Sequence, residues 1–257
     1  MHNLKLWSPP DDKNILSSFI KSLDKSLKIK TYKELHNWSI NNKSKFWDKI
    51  WDFTKIKGIK KGKIFNEKNE FIKTRFFDEC ELNYAENCLL KKDENEAIIF
   101  YSENKIRRSY TWQKLRENTF KLSHFFKSNK ISINDRIAGI LPNIPETIVS
   151  FLATSQIGAI WSSCSTDFGS QAIIDRFKQI KPKILLITDY YYYNKNKINT
   201  TDIIPTILKN IKSIQKVIII PYENKKIELK NQFNYTEWNA IVSSKNKFEQ
   251  FEKFNFN

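Results

Sequence analysis

The chain has 257 residues, 40% hydrophobic and 28% charged, which is length and apolar content enough for a sizeable core, and its 5 glycines and 7 prolines exclude a collagen-like or linker-dominated protein. The net charge of +16 comes from 38 Lys and only 6 Arg against 28 acids, with no basic block of five residues, so the excess reads as a lysine-rich surface and not as a nucleic-acid site. No apolar run is near the roughly 20 residues of a membrane-spanning helix, and three cysteines without a Cys-x-x-Cys pair give neither a disulfide framework nor a zinc site.

The first residues, MHNLKLWSPPDDK, lack the basic-then-apolar order of a secretory signal, so a cytoplasmic protein with no membrane partner is expected. Residues 1–73 hold 17 Lys against 8 acids, and the region up to 90 is crowded with aromatics. In KSKFWDKIWDF, Trp47, Ile50, Trp51 and Thr54 recur at helical spacing and predict one packing face. Residues 57–73 read as a loop or short hairpin, and LNYAENCLL (82–90) as a short amphipathic helix.

From residue 96 the pattern changes to short β-branched runs alternating with helical stretches. Ala97–Tyr101 predicts a strand, and Thr111 an N-cap for a helix running to about Ser128 that buries Leu115, Phe120, Leu122 and Phe126. Arg136–Leu141 predicts the next strand, Pro145 the first turn of a helix, and Gly158 its C-terminal end. Ala159–Ser162, Ile184–Thr188 and Val217–Ile220 complete the strands, with helices over Ser170–Gln179, Asp202–Ile211 and Tyr235–Val242. This alternation predicts an α/β fold, the start of a doubly wound, mainly parallel sheet preceded by a helical, aromatic-rich N-terminal region. Ligand chemistry then belongs at the loops after the strands, Pro142–Pro145, Ser162–Gly169, Asp189–Lys197 and Pro221–Asn224.

Among these, SSCSTDFG (162–169) offers hydroxyls, a thiol and a carboxylate. A nucleophilic Cys164 needs a base, and His2, His36 and His124 do not supply one by pattern, so Cys164 reads as a packing residue and Asp167 as a helix cap. YYYYNKNK (190–197) reads either as an aromatic cluster at a sheet edge or as a rim where tyrosines stack on a base and Lys195 or Lys197 meets a phosphate. The glycines after residue 62 are too far apart for a phosphate-cradling loop, and no metal-ligand motif is present. The residues alone leave an enzyme part, a non-enzymatic binding or scaffold domain and a basic RNA-binding protein all open.

Several segments are familiar as they stand: LWSP (6–9), FWDKIWDF (46–53), LNYAEN (82–87), YTWQKLR (110–116), GILPNIPETIVSFLATSQIGAIWSSCSTDFG (139–169) and DRFKQIKPKILL (175–186). Together they resemble the N-terminal part of the acetoacetyl-CoA synthetases (acetoacetate–CoA ligases), within the acyl-adenylate-forming, AMP-binding superfamily. The resemblance implies a ligase using ATP, CoA and Mg²⁺ on acetoacetate, through acetoacetyl-AMP, with small-molecule partners and no nucleic acid. It implies an N-terminal region over residues 1–92 and the start of an AMP-binding domain over 93–257. The family's phosphate loop, Mg²⁺ motif and C-terminal lysine match nothing in these 257 residues, so the chain alone is expected to be catalytically incompetent, with no catalytic or metal residue of its own. What it does carry by resemblance is the CoA side: Ser165, Thr166, Asp167 and Phe168 match a loop near the pantetheine tunnel, and Tyr192 and Lys195 match a stretch approaching the CoA phosphates, Tyr192 standing where an Arg is common.

Overall fold

The computed structural model describes residues 14–103, 106–223, 227, 229 and 233–256. The LWSP segment, the N-terminal pattern and Asn224 lie outside the described residues. The chain divides into two compact units, one running to Leu82 and taking in the chain from Lys253 onward, the other spanning Asn83–Glu252.

The first unit opens with helices α1 (Ile15–Ser22), α2 (Tyr32–Asn41) and α3 (Lys43–Phe53). Thr31 and Glu34 form a reciprocal capping box at the start of α2, which satisfies N–H groups that the first turn leaves free. Phe19, Leu23 and Leu35 are buried, with Phe46, Ile50 and Phe53 of α3 packed on them. Trp51 belongs to a separate cluster with Phe77 and Cys80, its ring 4.9 Å from that of Phe77. The single face expected for α3 is therefore split. The helix is packed on two sides, and Thr54 serves as its C-cap, donating from Oγ1 to the Ile50 carbonyl at 2.7 Å. Four two-residue strands follow: β1 (Gly58–Ile59), β2 (Phe65–Asn66), β3 (Arg75–Phe76) and β4 (Glu81–Leu82); β1 pairs with β4 and β2 with β3, all antiparallel.

The second unit begins with the short helix α4 (Tyr84–Cys88) and an antiparallel ribbon, β5 (Glu96–Tyr101) with β6 (Arg107–Thr111). Thr111 caps α5 (Trp112–Ser128), accepting from the Lys114 N–H at 3.1 Å. Then come β7 (Arg136–Ile140), α6 (Pro145–Gln156) with Pro at its start, β8 (Ile160–Cys164), α7 (Ser170–Ile180), β9 (Ile184–Thr188), the hairpin β10 (Tyr190–Tyr193) and β11 (Asn196–Asn199), α8 (Ile204–Asn210), β12 (Lys216–Ile220), β13 (Thr236–Glu237) and α9 (Trp238–Val242). Gly158, at φ +70°, ends α6 as the pattern requires. A last strand, β14 (Phe254–Asn255), pairs antiparallel with β4 and so completes the three-stranded sheet of the first unit.

Five of these strands form one parallel sheet in the order β13-β12-β9-β7-β8. Strand residues alternate between its two faces. Ile137, Ile184, Leu186, Ile218 and Ile220 join Leu122, Phe126, Val149 and Leu152 of α5 and α6, together with Trp238 of α9. Ala138, Ile140, Leu185, Ile187, Val217 and Ile219 join Ile173, Phe177, Ile204 and Ile207 of α7 and α8. Burial on both faces is why the strands read as continuous apolar runs, each such side chain contributing about 1.5–3 kcal/mol. The doubly wound, mainly parallel architecture expected from the sequence is the one observed. The β5–β6 ribbon is separate from it. No helix among the described residues is long and apolar enough to cross a membrane.

Candidate functional site

The strand order places a topological switch between β7 and β9. From the tip of β7 the chain leaves toward β8 on one side, and from the tip of β9 toward β12 on the other. The carboxyl edge of the sheet at such a switch point is where open α/β sheets bind ligands.

On the β8 side stands the loop Ser165–Gly169. It is shorter than expected because β8 runs on through Cys164 and absorbs the start of SSCSTDFG. Cys164 is buried, and burial pushes its thiol up to about 11, with Arg176 pulling down and Asp167 pushing up. It packs in the core cluster of α7 and α8, and a raised thiol of this kind disfavours the thiolate at neutral pH. Asp167 does not cap α7; the helix starts later, with Gly169 at its N-cap and no side-chain hydrogen bond there. Phe168 packs on the core cluster of α7 and α8, and the Arg176 guanidinium lies over its ring at 4.8 Å.

On the β9 side the tyrosine tract is a hairpin. Tyr193 pairs with Asn196 across a two-residue turn, Asn194 and Lys195, both with positive φ (49° and 65°). That is the turn geometry that matches the twist of paired strands, here built without glycine. Alternation splits the tyrosines. Tyr190 and Tyr192 cluster with Tyr222, their ring centroids 5.5 to 5.9 Å apart, and the Tyr222 hydroxyl shares a 2.6 Å hydrogen bond with Ser102. Tyr191, on the other side of the strand, is buried. Tyr190, Tyr191 and Tyr222 are buried, so only Tyr192 and Tyr193 present rings toward solvent. Lys197 rests its ammonium 3.8 Å from the Tyr190 ring centroid, and the Lys195 backbone N–H donates to Glu103 at 3.0 Å.

The six residues matched to the CoA side thus fall into two groups. Ser165, Thr166, Asp167 and Phe168 lie on one loop; Tyr192 and Lys195 lie on the hairpin. Two features of this edge escaped the sequence reading. The first is Asp189, at the tip of the central strand β9, 6% exposed. Its Oδ1 accepts from the N–H groups of Tyr190 and Tyr222, each at 2.8 Å. Burial pushes this carboxyl up, against the N–H donors that favour its ionised form. The second is Glu146 in the first turn of α6, buried and held by Arg108 at 2.8 and 3.3 Å and by the Tyr110 hydroxyl at 2.9 Å. Arg108, Tyr110, Lys114, Glu146, Pro221 and Trp238 help to line a cleft of 540 Å³. Among the described residues no cluster of three or more His, Cys, Asp or Glu side chains is placed to hold a metal ion.

Comparison with known proteins places this geometry. Residues 86–250 match the model of the AMP-binding enzyme family, and residues 32–88 match that of the acetyl-coenzyme A synthetase N-terminus. An acetoacetyl-coenzyme A synthetase of Rhizobium meliloti (strain 1021) is 37% identical over 191 residues, 74% of this chain and 29% of the relative. The acetoacetyl-CoA synthetase of Xenopus tropicalis is 34% identical over 229 residues, 84% of this chain and 33% of the relative. The solved acetoacetyl-CoA synthetase from Streptomyces lividans superposes with a TM-score of 0.81 at 25% identity, covering 89% of this chain and 35% of that one. The chain spans about a third of the length of the curated relatives it matches. With the family model covering more than half of its residues, the chain belongs to the AMP-binding enzyme family.

Proposed function

We propose that this chain is the N-terminal part of an acetoacetate–CoA ligase. The carboxylate of acetoacetate attacks the α-phosphorus of ATP, releasing pyrophosphate and giving acetoacetyl-AMP. The thiol of CoA then attacks the acyl carbon, AMP leaves, and acetoacetyl-CoA is formed. The observation that carries the reading is the alignment of acetoacetyl-CoA synthetases from a bacterium and a vertebrate over 74% and 84% of this chain, taking in LNYAEN and IWSSCSTDFG.

Within that reaction the residues present serve the thiol substrate. Ser165, Thr166, Asp167 and Phe168 form the loop beside which the pantetheine arm runs. Tyr192 and Lys195 stand on the hairpin facing the nucleotide end of CoA. Lys195, at the exposed hairpin tip, is the cation nearest to hand for a phosphate, since Lys197 is already engaged on Tyr190. We assign the adenylation step, and the Mg²⁺ that neutralises ATP phosphates in such reactions, to no residue described here. A second reading, a ligase for another short acyl acid, is favoured by one observation, the match of residues 32–88 to the acetyl-coenzyme A synthetase N-terminus.

The test is to read the gene beyond codon 257, express the product it encodes, and assay AMP formation with ATP, CoA and either acetoacetate, acetate or propionate. Turnover with acetoacetate well above the others supports the proposal. Turnover with acetate or propionate and none with acetoacetate overturns it in favour of the second reading.

A further inference from the structure

Among the described residues no guanidinium or ammonium closes an ion pair with Asp189, yet it is buried at the tip of the central strand. Its bonds all go to backbone or hydroxyl. Oδ1 takes the N–H of Tyr190, the first residue of the hairpin, and the N–H of Tyr222, 33 positions away in the connection after β12. Its own N–H donates to the Ile220 carbonyl at 3.1 Å, and its carbonyl accepts from the Thr200 N–H at 3.1 Å, just past the hairpin. Thr188 adds to the knot, its single Oγ1 proton shared between the carbonyls of Tyr190 (3.0 Å) and Ile220 (3.1 Å), while the Thr200 hydroxyl donates to the Thr188 carbonyl. One carboxylate oxygen therefore joins the two connections that leave the carboxyl edge of the sheet after β9 and after β12, and that carry the neighbouring rings of Tyr190 and Tyr222. Tyr192, the partly open ring of the tract, packs against both at 5.8 to 5.9 Å.

We propose that Asp189 is the positioning residue of this ligand edge: through the N–H groups of Tyr190 and Tyr222 it sets the aromatic cluster on which Tyr192 is presented to an incoming CoA. The consequence for CoA rests on the function proposed above; the ordering of the cluster does not. A carboxylate suits the task because it offers a strong acceptor to two N–H groups with no hydrogen of its own to misplace. Asparagine keeps the Oδ1 acceptor, whereas alanine leaves two buried N–H groups without a partner.

The experiment uses the 257-residue chain and two variants, Asp189→Asn and Asp189→Ala. Near-ultraviolet circular dichroism reads the tyrosine cluster, far-ultraviolet the secondary structure, and calorimetric titration with CoA the affinity. The proposal expects alanine to lose roughly half or more of the near-ultraviolet tyrosine signal with the far-ultraviolet spectrum unchanged, and asparagine to retain it. It expects CoA to bind about tenfold or more weakly to the alanine variant and within about threefold of wild type to the asparagine variant. An alanine variant with the wild-type tyrosine signal overturns the proposal whatever its affinity. A wild-type chain that fails to bind CoA, with the tyrosine signal still lost in alanine and kept in asparagine, leaves the positioning role standing and counts against the CoA reading. Should the alanine variant not fold, wild-type protein decides the matter by NMR. The amide protons of Tyr190 and Tyr222 must shift in one common transition as Asp189 titrates, in a setting whose other charged groups include Lys197, Glu223 beyond the Tyr190 ring, and Arg108 and Glu103 on the Tyr222 side. The absence of a common transition overturns the proposal.

Discussion

Arg108 grips Glu146 through two hydrogen bonds, 2.8 and 3.3 Å long, from the ribbon strand β6 to the first turn of α6. The Tyr110 hydroxyl donates to the same carboxylate at 2.9 Å, so Glu146 has three donors and almost no solvent. Its position in the first turn also lets the helix dipole favour its charge. Tyr110 loses acidity in return: burial and then the neighbouring carboxylate push its phenol far above the ordinary range. This contact joins the ring packing of Phe100 on Tyr222 and the Ser102–Tyr222 hydrogen bond in fastening the antiparallel ribbon to the α/β layer.

Breaking that pair from one side strands a buried charge. Arg108→Ala or Glu146→Ala is expected to destabilise the fold by about 3–5 kcal/mol, while replacing both by leucine recovers a large part of the loss. Urea unfolding followed by circular dichroism measures both. If the double substitution is as costly as the sum of the single ones, the pair is not acting as a unit.

Gly139 lies in the middle of β7 with the Trp161 ring laid over it. A Cβ built at this position meets Trp161 ring carbons at 2.6 and 2.7 Å. Gly139→Ala should therefore cost about 1–3 kcal/mol from overpacking, and the cost should shrink when Trp161 is also made smaller, as in Gly139→Ala/Trp161→Leu. Thermal melts of the four proteins in the cycle check this. Equal costs with and without the ring would show that the close approach is not what glycine is needed for.

How far this fold is legible in the sequence follows from which interactions are local. Thr111, Pro145 and Gly158 mark helix ends because their capping chemistry is decided within three or four residues. The strands β9 and β12 are legible because burial on both faces demands an unbroken apolar run. Strand β6 is not, since Arg107, Arg108 and Ser109 carry no apolar alternation and form a strand by pairing with β5. The hairpin β10–β11 is hidden because its turn is Asn194–Lys195, with no glycine to announce the positive φ values. Asp189 is the sharpest case. In sequence it is one acid after a strand, and its meaning comes from Tyr222, brought next to it only when β12 pairs with β9.

Asp135 makes the stability of the fold sensitive to acid. Burial works to raise its carboxyl, but the Lys183 ammonium at 2.7 Å and the Ser132 donors outweigh that and hold it below its ordinary value. A carboxyl depressed in the folded state stabilises the fold above its unfolded value, about 4, and that contribution is lost as the pH falls through the folded value. Stability measured by urea unfolding should drop below about pH 4 in the wild type and drop less steeply in Asp135→Asn, which already lacks the contribution at neutral pH. Identical slopes in the two proteins would remove Asp135 from the account.

Cys164 gives a direct chemical readout of the same core. With its thiol pushed up to about 11, only about one molecule in a thousand carries a thiolate there at pH 8, and the side chain is buried besides. Labelling of the native chain by a disulfide reagent should leave Cys164 unmodified on the timescale in which the denatured chain reacts fully, and Cys164→Ser should not change the native labelling curve. Rapid native labelling at this position, mapped by peptide mass, would mean that the loop opens or that a base lies close by.

The last prediction concerns catalysis by these 257 residues on their own. A phosphate held in a nucleotide site needs several backbone N–H groups converging on it, which generally takes closely spaced glycines. Every glycine of this chain but one has another task or neighbour. Gly62 and Gly158 sit at positive φ in a turn and at a helix end, Gly58 packs against Trp51 and Leu82, and Gly139 lies beneath Trp161. Gly169 alone faces open space, as the N-cap of α7. One such glycine at one helix start does not make a cradle, and among the described residues no carboxylate cluster waits for a metal. Stabilising the charge that develops at phosphorus is mostly electrostatic work, so without those donors the rate should not rise above the uncatalysed one. ATP–pyrophosphate exchange by the 257-residue chain, with acetoacetate at saturating ATP, is expected at background. Exchange that rises in proportion to the amount of chain added, and that disappears when acetoacetate is left out, would require an adenylation site built from residues that none of the contacts described here assigns to it.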